Sequence, residues 1–133
     1  MSLWRIVRPA IAGALLLFGG SGATAQRADP VAALRVIERG QWQLKDATGA
    51  VRKLCLTNPA VLLQIQHGSA QCQQFILENG PRAATVRYTC SGHGHGRTTL
   101  TVETGRLLSI DTQGVSDGSP FSDQYEGRLL GAC

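Results

Sequence analysis

The chain has 133 residues, with 13 Lys and Arg against 9 Asp and Glu, and four cysteines. Its charges are scattered singly, with no Lys/Arg run and no basic stripe interleaved with aromatic residues, which argues against nucleic acid as a partner. One domain is the expectation at this length.

Taken in chain order, the first feature is a leader. Arg5 and Arg8 form a short positive region, and residues 10–18 are an apolar run too short to span a bilayer as a helix. A glycine-rich stretch follows, and Ala23-Thr24-Ala25 has the small-x-small form that signal peptidase accepts. Residues 1–25 are therefore read as a signal peptide cleaved near Ala25, and 26–133 as a single disulfide-bonded β-rich domain. The expected location is periplasmic or secreted, with no transmembrane anchor after cleavage. The first cysteine is Cys55, far from the cleavage region, which argues against a lipoprotein. Loss of Arg5 and Arg8 leaves 11 basic residues against 9 acidic ones, so the basic balance carries little functional message.

Two segments share a helix grammar. Asp29 and Pro30 open the first and Gly40 closes it; Asn58 and Pro59 open the second and Gly68 closes it. An Asx cap, then proline, then a terminating glycine punctuates a short helix. Val31, Leu34 and Ile37 share one face of the first; Leu62, Leu63 and Gln66 wind along the second. Strands are predicted at 41–47 and 51–57 around "DATGA", at 72–78 and 83–90 around "NGPR", at 97–104 and 107–112 around Gly105, and at about 125–130. Val86 with Tyr88, Leu100 with Val102, and Leu108 with Ile110 alternate onto one face. The predicted fold class is α+β, mainly β: about seven mostly antiparallel strands in a curled sheet or partial barrel, with two short helices and two disulfides.

The cysteines Cys55, Cys72, Cys90 and Cys133 all lie in the predicted exported part, and an even count in a small exported chain reads as two disulfides. Their spacings of 17, 18 and 43 residues match no zinc-cage pattern. If residues 58–71 form a crossover that makes their flanking strands parallel, Cys55 shares one end of the sheet with Cys133, and Cys72 shares the other with Cys90. That pairing needs a bulge, because Cys72 alternates with Gln74 whereas Cys90 alternates with Val86 and Tyr88. Two pairings stay open: 55–133 with 72–90, favoured by the crossover, and 55–72 with 90–133.

The order "GQWQL", "CLT", a second cysteine before a hairpin, "VRYTC" with a glycine-rich turn, and a closing "EGRLLGAC" resembles the domain-of-unknown-function family numbered 3617, small exported bacterial proteins. The resemblance runs from about Gly40 to Cys133. It implies an exported, disulfide-bonded, β-rich domain and names no catalytic residue.

Two loops carry candidate chemistry. In "CSGHGHGR", His93 and His95 project from a glycine-rich connection, and imidazole suits Cu(II) or Zn(II). Two histidines make only a partial site, with His67, Glu103 and Asp111 as the further donors to consider. The plainer reading is a turn whose glycines permit positive φ. "IDTQGVSDGSPFSDQYEGR" is read as a long solvated loop pinned by Phe121; its oxygens do not follow the calcium-loop spacing. No Gly-x-Ser-x-Gly elbow is present. Trp42, Phe75, Tyr88, Phe121 and Tyr125 form either the core or the lining of a small apolar pocket. The expectation is a non-enzymatic structural or small-ligand-binding envelope module, possessing no cofactor. The alternative is divalent metal binding through His93 and His95.

Overall fold

The computed structural model describes residues 30–133. The predicted signal peptide, its cleavage site, the first residue of the mature domain and the expected Asp29 cap lie outside the described residues. Seven strands form one sheet: β1 (Gly40–Asp46), β2 (Val51–Leu56), β3 (Cys72–Asn79), β4 (Ala83–Cys90), β5 (Gly94–Thr104), β6 (Leu107–Ser116) and β7 (Ser119–Gly131). Their spatial order is β2-β1-β7-β6-β5-β4-β3, and every neighbouring pair is antiparallel. The sheet is unclosed, with β2 and β3 as its two edges. Following the pairings through, β2 and β3 run in the same direction, as a crossover over residues 58–71 requires.

Both predicted helices are single 3₁₀ turns, at Ala32–Val36 and Pro59–Gln64. At five and six residues both have the short length usual for 3₁₀ structure. The second keeps the expected cap: the Asn58 side chain accepts a hydrogen bond from the Ala60 amide, with Pro59 at the first position. The first is capped by Val31, which has no side-chain oxygen to offer. It is held instead by Asn79, whose Oδ1 accepts from the Ala32 amide at 2.9 Å and whose Nδ2 donates to the Pro30 carbonyl at 2.7 Å.

Both turns pack on one face of the sheet, against β5 and, for the first, β4 as well. This inner face alternates strictly: Leu100, Val102, Leu108 and Ile110 are buried, and so are Trp42 and Leu44 on β1. Val31, Leu34, Ile37, Leu62 and Leu63 complete one contiguous core. Full burial of each leucine contributes about 1.5–3 kcal/mol, so the two turns are anchored by packing rather than by their few internal hydrogen bonds. The buried indole of Trp42 donates to the Glu38 carbonyl at 2.9 Å. Gln64, also buried, donates to the carbonyls of Gly68 and Ala70.

The disulfides are Cys55–Cys133 and Cys72–Cys90. Cys72 stands directly opposite Cys90, and the β3–β4 register shifts between Ile76 and Glu78. That bulge is what lets Cys72, Gln74 and Ile76 share the inner face with Cys90, Tyr88 and Val86.

Two expectations are corrected. The long loop predicted between the last two strands is instead a tight hairpin: Asp117 and Gly118, with φ of 48° and 82°, join β6 to β7, and Ser116 pairs with Ser119. Both central residues adopt positive φ, as a two-residue turn matched to strand twist demands. His95, expected in a loop, lies within β5.

Candidate functional site

The connection after Cys90 is a turn. The His93 amide donates to the Cys90 carbonyl at 2.9 Å, and Gly92 takes φ of 77°. His93 is exposed at its tip, with Nδ1 3.5 Å from Asp117 Oδ1, and its carbonyl accepts from the Asp117 amide. His95, paired with Thr89 and Val115, is exposed and projects from the outer face of β5. His67 approaches the same turn from the inner face. Its Nε2 lies 3.2 Å from the His93 carbonyl and its Nδ1 2.9 Å from the Tyr88 hydroxyl, and its ring meets Tyr88 and Phe121 edge-on. The three histidines thus gather around one turn but present their nitrogens in different directions. Among the described residues no group of three or more His, Cys, Asp or Glu is placed to hold a metal ion, and Glu103 and Asp111 do not join His93 and His95.

The five aromatic residues do not line one pocket. Trp42 and Tyr88 are fully buried; Phe121 and Tyr125 are half-buried; Phe75, 50% exposed, stands on the outer face of the edge strand β3. Burial pushes the Tyr88 hydroxyl above its usual pKa, with a hydrogen bond from Thr112 opposing the shift. Gln66 turns inward from the crossover, its amide donating to Asp123 Oδ2 at 2.6 Å and to the Tyr125 hydroxyl at 2.8 Å. The space inside the sheet is filled by these side chains and by the leucines of the two turns.

Besides a cleft of about 410 Å³ beside the crossover, lined by Leu54, Val61, Gln64 and Gln74, two sites open on the outer face. The larger is a groove of about 570 Å³ lined by Lys45, Thr99, Thr101, Ser109, Asp111 and Gln124, with Tyr125 and Glu126 at its side. Strand pairing builds it: Thr99 stands opposite Asp111 and Asp111 opposite Gln124, while Thr101 faces Ser109 and Ser109 faces Glu126. Gln124 donates to Asp111 across 3.3 Å. The Arg128 guanidinium, 2.8 Å from Glu126, holds that carboxyl below the usual carboxylate range. Hydroxyls, carboxylates, a carboxamide and an ammonium therefore converge on one surface. A second cleft, of about 390 Å³, lies at the far end of the same face, beside Arg87, His95 and Arg97. Sequence reasoning passed over both because neither is a motif. The alternation of Thr99, Thr101, Ser109 and Asp111 with buried residues was the available signal.

The two disulfides, in a chain where no helix among the described residues is long and apolar enough to cross a membrane, are consistent with an extracytoplasmic location. Comparison with protein-family models, with curated proteins and with solved structures finds no match.

Proposed function

We propose that the protein is a non-enzymatic, exported domain that binds a small polar ligand on the outer face of its sheet, in the periplasm or outside the cell. The observation that carries this reading is the contrast between a filled interior and an open polar groove of about 570 Å³. An apolar ligand would need the space already held by Leu34, Leu62, Leu63 and Trp42. The groove offers Asp111 and Glu126 as acceptors for ligand hydroxyls, with Thr99, Thr101 and Ser109 able to donate or accept. That set suits a hydroxyl-rich ligand such as a short saccharide. The signal peptide over residues 1–25 and membership of the 3617 family belong to the same proposal and rest on the residues quoted for them.

The test is amide NMR of the disulfide-bonded protein titrated with maltose and cellobiose. Saturable shifts confined to Lys45–Ala47, Thr99–Thr101, Ser109–Asp111 and Gln124–Glu126, and lost in Asp111→Ala, support binding. Shifts absent up to millimolar sugar leave a purely structural role in its place.

The metal alternative has one observation in its favour, the carboxylate of Asp117 beside the His93 imidazole. Equilibrium dialysis against Cu(II) and Zn(II), with a His93→Ala/His95→Ala variant alongside, decides it. Micromolar binding lost in the variant and below about pH 6, where imidazole protonates, supports a copper or zinc site. Equal uptake by both proteins removes it.

A further inference from the structure

Arg87 on β4 and Arg97 on β5 are direct cross-strand partners on the outer face. Like charges placed opposite each other repel and weaken a strand pair. Among the described residues neither guanidinium has an ion-pair partner. The nearest acid on the neighbouring row, Asp111, is engaged by Gln124, and Glu78 accepts from the Thr85 hydroxyl. His95 adds a third cationic candidate to the same face, and Gln113 extends the row from Arg97. Arg87 is also held in place: its guanidinium lies over the Phe75 ring, 5.8 Å from the centroid. This contact gives the half-exposed Phe75 a role on the edge strand.

Beside the two arginines lies the cleft of about 390 Å³, whose apolar side is made by Val115, with Gly96, Gly114 and Phe121 lining its floor from strand positions that face inward.

We propose that this cleft binds a phosphate monoester carried on a small apolar body, with Arg87 and Arg97 sharing the phosphoryl oxygens. Two guanidinium groups match the nearly doubly negative charge of such a group near neutral pH, and their planar forks suit oxygens spread around a tetrahedral centre. A bound dianion also removes the repulsion between the two arginines. The apolar body rests on Val115 and the cleft floor beside it. This site is separate from the polar groove, and its test leaves the groove residues as they are.

Isothermal titration calorimetry of the disulfide-bonded protein with phenyl phosphate, benzoate and inorganic phosphate tests it. Phenyl phosphate is expected to bind more tightly than either of the others, benzoate lacking the second charge and inorganic phosphate the ring. Arg87→Gln and Arg97→Gln are each expected to weaken it at least about tenfold. Because Arg97→Gln relieves repulsion and keeps the Arg87–Phe75 contact, that variant should melt no lower than the parent protein, so that its lost binding is not lost folding. Undetectable phenyl phosphate binding at millimolar ligand overturns the proposal. So does an affinity unchanged in both variants, or one that benzoate equals.

Discussion

The Nδ1 of His67 lies 2.9 Å from the Tyr88 hydroxyl, while the opposite nitrogen of the same ring reaches the His93 carbonyl at 3.2 Å. A carbonyl only accepts, so in the uncharged ring Nε2 carries the proton and Nδ1 accepts from the tyrosine. One side chain thereby fastens the crossover to both β4 and the turn that follows it.

His67→Ala should lower stability by about 1–2 kcal/mol, the sum of one net hydrogen bond and the lost edge-on ring contacts. Tyr88→Phe should cost about 1 kcal/mol, and the double variant less than the sum of the two, since both singles break the same link. Urea denaturation midpoints check all three. Strict additivity would show that the contact carries no energy.

Gly96 stands opposite Tyr88 in the β4–β5 pair, and a Cβ added there would lie 2.5 Å from the tyrosine hydroxyl. Gly96→Ala must therefore push the ring aside and break its bond to His67. A loss of about 1–3 kcal/mol is expected, typical of an overfilled interior. Gly92→Ala, four residues earlier with nothing within 4 Å of the added carbon, tests steric crowding against a general intolerance of alanine. Its cost comes only from the positive φ of 77°.

The two disulfides enclose chain segments of different length, with separations of 78 and 18 residues. In the chain-entropy account, removing Cys55–Cys133 costs about 4.5 kcal/mol and removing Cys72–Cys90 about 3 kcal/mol. Paired cysteine-to-serine variants followed by thermal unfolding should preserve that order.

Stability should also fall at both extremes of pH, each for an identifiable reason. Asp46 accepts from the Thr48 hydroxyl and from the amides of Thr48 and Ala50, and these bonds hold its carboxyl below its usual range. A depressed folded-state pKa contributes stability above the unfolded value, here 3.8, and loses it as pH drops through the folded one. Asp46→Asn should flatten the acid limb of a urea-midpoint profile below about pH 4. Tyr88 acts in the opposite sense. Its hydroxyl is raised above 10.0 by burial, so its contribution is intact below that pH and declines as pH rises beyond it. Tyr88→Phe should remove part of the alkaline limb.

Much of this architecture was legible because local patterns agreed with one another. The alternation through Val86, Tyr88, Leu100, Val102, Leu108 and Ile110 marked the inner face, and all six are buried there. The parity clash between Cys72 and Cys90 announced a bulge, which occurs between Ile76 and Glu78. The β6–β7 hairpin was missed for a physical reason. Thr112, Gly114 and Asp123 occupy inward positions that an apolar pattern assigns to hydrophobic residues, so the predicted strand stops at Thr112 and the stretch beyond it reads as loop. Their polarity is satisfied inside the fold, Thr112 by Thr98 and Asp123 by Gln66, which single-residue hydropathy cannot register. The arginine pair was invisible for another reason: a like-charge contact depends on register, and register emerges only when the turn length between β4 and β5 is known.

β7 is the seventh strand in chain order, yet it lies between β1 and β6. On that side Trp42 and Leu44 meet Leu129 and Gly127, and their other neighbours, Leu54 and Arg52, lie on β2. During synthesis the β1–β2 ribbon therefore waits, unsheltered, for almost the whole chain to emerge, while β3 to β6 can begin to assemble as a meander. Order of manufacture and order of assembly are opposed.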